Sequence, residues 1–336
     1  MPESQILLLV IVLTALVFDF TNGAHDSANA IATVVSTKVL SPKVAVLMAA
    51  VLNLAGAFIG IKVAHTIGSG IVNADMVKGC QALTLAALMG AILWNLLTWY
   101  LGLPSSSSHA LIGGLMGAGL MYGGTSALNF VSIFKKILIP LIVSPLAGFL
   151  AGYLLMLGLS WTLARAHPKR LNTAFRKLQI VSSAFMATSH GMNDAQKTMG
   201  IITLALFVGH HIPDMSVPFW VKILCALAMA LGTAMGGWKI VKTMGHKIFK
   251  LEPIHGFSAE TSAAAVISGA SIFGAPISTT HTISTSVLGV GSSKRLSAVR
   301  WGIAGHMITA WILTIPMAAL TAAAFFMLLR TCGLVH

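Results

Sequence analysis

Apolar residues run through this chain in long blocks, with short polar breaks between them. The blocks include Ser4–Phe20, Pro42–Val63, Cys80–Leu101, Ile137–Ala164, Pro218–Met235 and Trp301–Leu329. A helix needs about 20 apolar residues to cross a bilayer core, and these blocks reach or approach that length. They do not alternate apolar and polar positions as the strands of a membrane barrel do. Backbone groups in lipid must find partners inside the protein, so the pattern predicts spanning helices. The expected fold class is an all-α polytopic membrane protein.

The polar breaks repeat. Gly23-Ala24-His25-Asp26-Ser27-Ala28-Asn29-Ala30 is answered 168 residues later by Gly191-Met192-Asn193-Asp194-Ala195-Gln196-Lys197-Thr198. Pro104-Ser105-Ser106-Ser107-Ser108-His109 is answered 172 residues later by Pro276-Ile277-Ser278-Thr279-Thr280-His281. Two motifs in one order, at nearly one offset, point to an internal duplication. Residues 1–164 read as a first transmembrane repeat, 165–177 as a basic cytoplasmic connector, and 178–336 as a second repeat. Each repeat divides into about five crossing elements. An odd number brings the second repeat in from the opposite face. This predicts inverted-topology repeats with broken helices at the bilayer midplane.

Charge refines the topology. Only 9% of the 336 residues are charged and 56% are hydrophobic, where soluble domains carry about 25% charged residues. The net charge of +13 would suggest nucleic acid in a soluble chain. Here the basic residues sort by side. With the amino terminus outside, 14 Lys and Arg fall on the inner side and 6 on the outer, with Lys197 inside a motif. Basic residues favour cytoplasmic loops, so both termini are expected outside. Glu3 and the lack of a basic leader mark the first block as a retained span. Cys80, Cys225 and Cys332 have neither metal-ligand nor disulfide-framework spacing. No phosphate-binding loop for ATP is present, and no nucleophile–base pair suggests an enzyme.

Ionisable groups inside membrane segments cost about 2.5–3.5 kcal/mol on insertion scales and usually serve a task. Asp26 and Asp194 occupy matching places, each flanked by glycine and small polar residues. These are expected to unwind the helix, so that carboxylate and freed carbonyls form a cation site. Asn22, Asn29 and Asn193 add neutral oxygens; H⁺, Na⁺ and divalent ions all remain open. The plainer reading is a pair of aspartates capping half-helices. Pro104 and Pro276 each suit a helix first turn. Ser105, Ser106, Ser107 and Ser108, and Ser278, Thr279 and Thr280, then surround free N–H groups at the positive end of a helix dipole. Two such starts would grip a tetrahedral oxyanion from both halves. The competing role is hydroxyls that pack helices together. His109 and His281 suit anion donation, proton transfer or packing. Lys197 suits a phosphate or a pair with Asp194, and Gln196 lies beside it. Glu260, near the start of an apolar helix, is a further buried carboxylate, and Asp19, one turn before the first motif, is a secondary cation-ligand candidate.

At these four motifs the sequence resembles the inorganic phosphate transporter (PiT) family. Its GANDxANA-like signature appears here as GAHDSANA and GMNDAQKT, with the paired segments PSSSSH and PISTTH, and the resemblance covers nearly the whole chain. It implies a secondary active symporter that imports phosphate with H⁺ or Na⁺ by alternating access and needs no cofactor. Asp26 and Asp194 would then serve the coupling cation, with Asn22 and Asn193. The serine and threonine hydroxyls, Gln196 and Asn29 would face phosphate. His25 stands where the family commonly has Asn. This and the short connector resemble the bacterial low-affinity, proton-coupled members, some of which carry a neutral metal–phosphate complex. The expected location is a bacterial inner membrane. The expected partners are phosphate, with or without a divalent metal, and lipid, not nucleic acid; a homo-oligomer is compatible. A sulfate permease of the same fold, and an anion channel or transport-like receptor, are the competing readings.

Overall fold

A computed structural model describes residues 3–73 and 75–334. The first half comprises α1 (Glu3–Ser36), α2 (Pro42–Ala57), α3 (Lys62–Gly70), α4 (Gln81–Leu101) and α5 (Ser107–Gly123). It closes with α6 (Phe130–Ser132), which runs through a π-helical turn into α7 (Ile139–Thr162). The second half comprises α8 (Pro168–Val208), α9 (Phe219–Met235), α10 (Trp238–Lys242), α11 (Pro253–Ile272), α12 (Thr279–Lys294) and α13 (Trp301–Thr331). No strand forms among the described residues; a lone antiparallel bridge joins Val72 and Leu128.

Four helices are long and apolar enough to cross a membrane: Gln5–Ser36, Gln81–Leu101, Phe130–Thr162 and Trp301–Thr331. Two bent pairs also qualify, α2 with α3 at 72° and α9 with Trp238–Lys247 at 60°. On α7, Ile142, Leu146, Leu150 and Leu154 lie 56–64% exposed in one stripe at helical spacing. Water would penalise such a stripe by about 25 cal/mol per Å²; lipid does not. The polar motifs sit inside, on α1, α8, α5 and α12. The protein is therefore a multi-pass, all-helical membrane protein.

The helix breaks fall in other places than the Asp motifs. Both α1 and α8 are continuous through Asp26 and Asp194, so the expected unwinding does not occur. The motif glycines serve helix contact instead. A Cβ on Gly191 would lie 2.2 Å from the Asn53 carbonyl oxygen, and one on Gly23 2.4 Å from that of Met229. Similar contacts seal two other groups of helices. Gly117 of α5 would meet Ala319 of α13 at 2.1 Å, and Gly289 of α12 would meet Phe149 of α7 at 2.1 Å. Small residues let backbones touch, which is the main packing device in membranes.

The real interruptions precede the serine and threonine motifs. Helix α4 ends at Gly102, whose φ of +68° is the left-handed cap conformation. Leu103 N then donates to Thr98 O at 2.9 Å and Gly102 N to Trp99 O at 3.1 Å. Helix α11 ends identically at Gly274, with Ala275 N on Ala270 O and Gly274 N on Ser271 O. Pro104 and Pro276 lie in the extended stretch that follows. They are not in a first helical turn, as the sequence suggested. The helices start three residues later, capped by Ser106 and Ser278. The residues expected to connect the repeats are partly helical. Residues 168–177 are the opening turns of α8, and Arg176 Nη2 donates to Lys38 O at 2.8 Å. Pro168 at the first helical position favours that start.

Candidate functional site

The starts of α5 and α12 meet between α1 and α8. Each N-cap hydroxyl, from Ser106 and Ser278, accepts the backbone N–H of the histidine three residues on, at 3.2 Å. Ser106 and Ser278 therefore hold the helix ends. The next two hydroxyls of each motif point at the carboxylates and their companions.

Asp26 sits against His25 Nδ1 at 2.6 Å and accepts from Ser107 Oγ at 3.4 Å and Thr280 Oγ1 at 3.3 Å. Asp194 accepts from Lys197 Nζ and from Thr279 Oγ1 at 3.0 Å, with His190 Nε2 at 3.2 Å. Asn29 and Lys197 hold equivalent places in the two repeated motifs. Asn29 Nδ2 donates to Thr279 Oγ1 at 3.2 Å and Thr280 Oγ1 at 2.9 Å. Lys197 Nζ donates to Ser108 Oγ and, at 3.0 Å, to Ile277 O. Ser108 Oγ also donates to Ile277 O at 3.1 Å. Every one of these side chains is buried. Ligand atoms of Asp26, His190 and Asp194 all lie within 4.8 Å of one another. Two carboxylates and one imidazole at that spacing suit a small cation.

The structure places other predicted residues elsewhere. Gln196 does not face the hydroxyls. Its Oε1 accepts from Val63 N at 2.9 Å and Ala64 N at 3.4 Å, and its Nε2 donates to Met192 O and Ile59 O. It caps α3 at the α2–α3 bend, so both ends of the amide are already used. Gln196→Ala is expected to cost about 2 kcal/mol by leaving buried amides unpaired and, if the chain carries phosphate as the resemblance implies, to leave the KM unchanged. Thermal unfolding and uptake kinetics check this; a large rise in KM would return Gln196 to the anion. Asn193 is likewise turned away, donating to Ser271 Oγ at 2.8 Å on α11. Asn22 lies buried with neither amide atom partnered. Ser105 stands behind His25, donating to Thr98 Oγ1 at 2.8 Å, with both hydroxyls 3.3 Å from His25 Nε2. It orients the imidazole and stays off the central hydroxyl set. His109 and His281 pack ring to ring at 4.6 Å, and His281 stacks on Trp311 at 3.9 Å. His109 Nδ1 and His281 Nε2 have no partner.

Sequence reasoning missed His190. Its signal was present, since the 168-residue offset sets it opposite Asn22. Trp311 and Thr98 carried none. Glu260 forms its own buried cluster, accepting from Thr33, Ser182 and Gln179.

Charged and hydroxylated side chains buried among apolar helices mark a candidate site at the centre of a membrane protein. Residues 22–322 match the phosphate transporter family, and the chain belongs to that family. It is 50% identical over 319 residues to a protein of Rhizobium meliloti (strain 1021) named probable low-affinity inorganic phosphate transporter, covering 94% of this chain and 95% of that one. A Bacillus subtilis (strain 168) protein of the same name is 48% identical over 325 residues, covering 96% and 97%. A solved structure described as the sodium-dependent phosphate transporter superposes with a TM-score of 0.88 at 26% identity, covering 97% of this chain and 99% of that one.

Proposed function

We propose that this protein imports inorganic phosphate by secondary active symport with H⁺ or Na⁺, through alternating access between inverted repeats in a plasma membrane, with both termini outside. The observation that carries this reading is the meeting of two capped helix starts with two carboxylates and one lysine. Phosphate would take the hydroxyls of Ser107, Ser108, Thr279 and Thr280, with Asn29 as a neutral donor and Lys197 as a point charge. Asp26, Asp194 and His190 would hold the coupling cation. The same three residues suit the metal of a neutral metal–phosphate complex.

Charge balance supports coupling. Asp26 and Asp194 bring two negative charges and Lys197 one positive, so an arriving anion needs accompanying positive charge. Crossing a membrane potential is worth about 2.3 kcal/mol per charge per 100 mV. A divalent anion entering a negative interior therefore needs more than two positive charges with it. Phosphate fits better than sulfate, because it retains a proton near neutral pH and can donate to a carboxylate. The test is labelled-phosphate uptake into liposomes under imposed H⁺ or Na⁺ gradients, with and without Mg²⁺, and with sulfate as competitor. Accumulation under one gradient, insensitive to sulfate, is expected. Absence of uptake under both gradients would sink the symport reading, and competition by sulfate would change the anion.

A further inference from the structure

We propose that Asp19 is a proton-binding residue of the transport cycle, separate from the Asp26–Asp194 pair. This rests on the symport reading above. Asp19 stands on α1 seven residues before Asp26, about two turns along the same helical face. It is 0% exposed, and neither of its carboxylate oxygens has a hydrogen-bond partner.

Its surroundings offer no countercharge. Thr198 of α8 and Cys225 of α9 lie beside it, and Asn22, buried with neither amide atom partnered, follows one turn on along α1. The charged groups near it are Asp194, which repels an ionised carboxylate, and Lys197. The Lys197 ammonium is already committed to Asp194, Ser108 and Ile277 O. Helix α4, also packed on α1, carries no acidic or basic residue. A carboxyl group buried without partner or cation avoids a large desolvation cost by holding a proton. Metal cations fit poorly, since hard ions need a cage of six or more oxygens and the flanking side chains offer one hydroxyl, one thiol and one amide. A neutral carboxyl with no structural bonds contributes nothing to folding that an apolar residue would not. Its place two turns from the central carboxylates is explained by proton exchange with solvent when the surrounding helices part.

Asp19→Asn preserves shape and removes the exchangeable proton. The wild-type-minus-Asp19→Asn infrared difference spectrum of the phosphate-free protein should show a protonated-carboxyl carbonyl band at neutral pH, from which the band of any other buried carboxyl, Glu260 included, cancels. In liposomes, exchange of labelled for unlabelled phosphate should stay within about twofold of wild type, while accumulation driven by an H⁺ gradient falls about tenfold or more. Asp19→Glu should restore accumulation, which a purely structural defect in Asp19→Asn would not predict together with intact exchange. The proposal is overturned if that difference spectrum shows no such band, or if accumulation and its pH profile are unchanged. It is equally overturned if Na⁺ protects the wild type against thermal unfolding but not Asp19→Asn, which would make this a metal-ion site. Wild-type liposomes with neither exchange nor accumulation would count against phosphate transport itself, and the infrared band would then decide Asp19 alone.

Discussion

Asp26→Asn is expected to lower phosphate uptake by about a hundredfold or more, while the protein inserts and purifies at near wild-type yield. The carboxylate receives Ser107 and Thr280 hydroxyls and faces His25. An amide of the same shape keeps one acceptor, and hydroxyl rotors can turn to accept from its NH₂. Folding should therefore survive. Transport should not, because on the proposed mechanism one of the two charges attracting the coupling cation is gone, and the other is paired with Lys197. Uptake in liposomes, with yield and monodispersity as the folding control, decides the matter. Full uptake by Asp26→Asn would remove this residue from cation handling.

The second large effect is on stability. Lys197 and Asp194 form a buried ion pair, each side chain 1% exposed. Removing one partner of such a pair leaves an uncompensated buried charge and costs about 3–5 kcal/mol. Lys197→Met should unfold at markedly lower temperature and lose uptake. The double variant Asp194→Asn with Lys197→Met removes both charges and should recover most of that stability, because contacting residues are energetically coupled. It should remain inactive. The comparison separates folding from transport: a single variant as stable as wild type would show that the pair adds nothing to folding, leaving Lys197 an anion contact only.

Much of this architecture could be read from the chain because the bilayer imposes strong rules. Apolar blocks of spanning length, and paired motifs at nearly constant offset, marked both the bundle and the residues that meet at its centre. Asp26, Asp194, Asn29, Lys197 and the four inner hydroxyls come together in the structure as that pairing implied. Two misreadings share one cause, a contact distant in sequence. A glycine in a polar motif is compatible with unwinding or with close helix approach, and only the Asn53 and Met229 carbonyls decide for contact. Gln196 looked like a ligand until Val63 N and Ala64 N, more than 130 residues away, claimed its oxygen. The glycine caps at Gly102 and Gly274 were legible as another pair at the 172-residue offset.

The glycine contacts have a mechanical consequence. They weld the helices into four stiff blocks: α1 with α9; α2 with α8; α4, α5 and α13; and α7 with α12. Backbone touching backbone resists sliding. At the polar centre the joints between blocks are hydroxyl–carboxylate and amide–hydroxyl bonds, some as long as 3.3 and 3.4 Å. Such bonds can be traded one for one against the oxygens of an arriving anion. An oxyanion lodged there would act as a removable rivet through all four blocks, so the timing of any shear between them would be set by occupancy and not by the springiness of a loop.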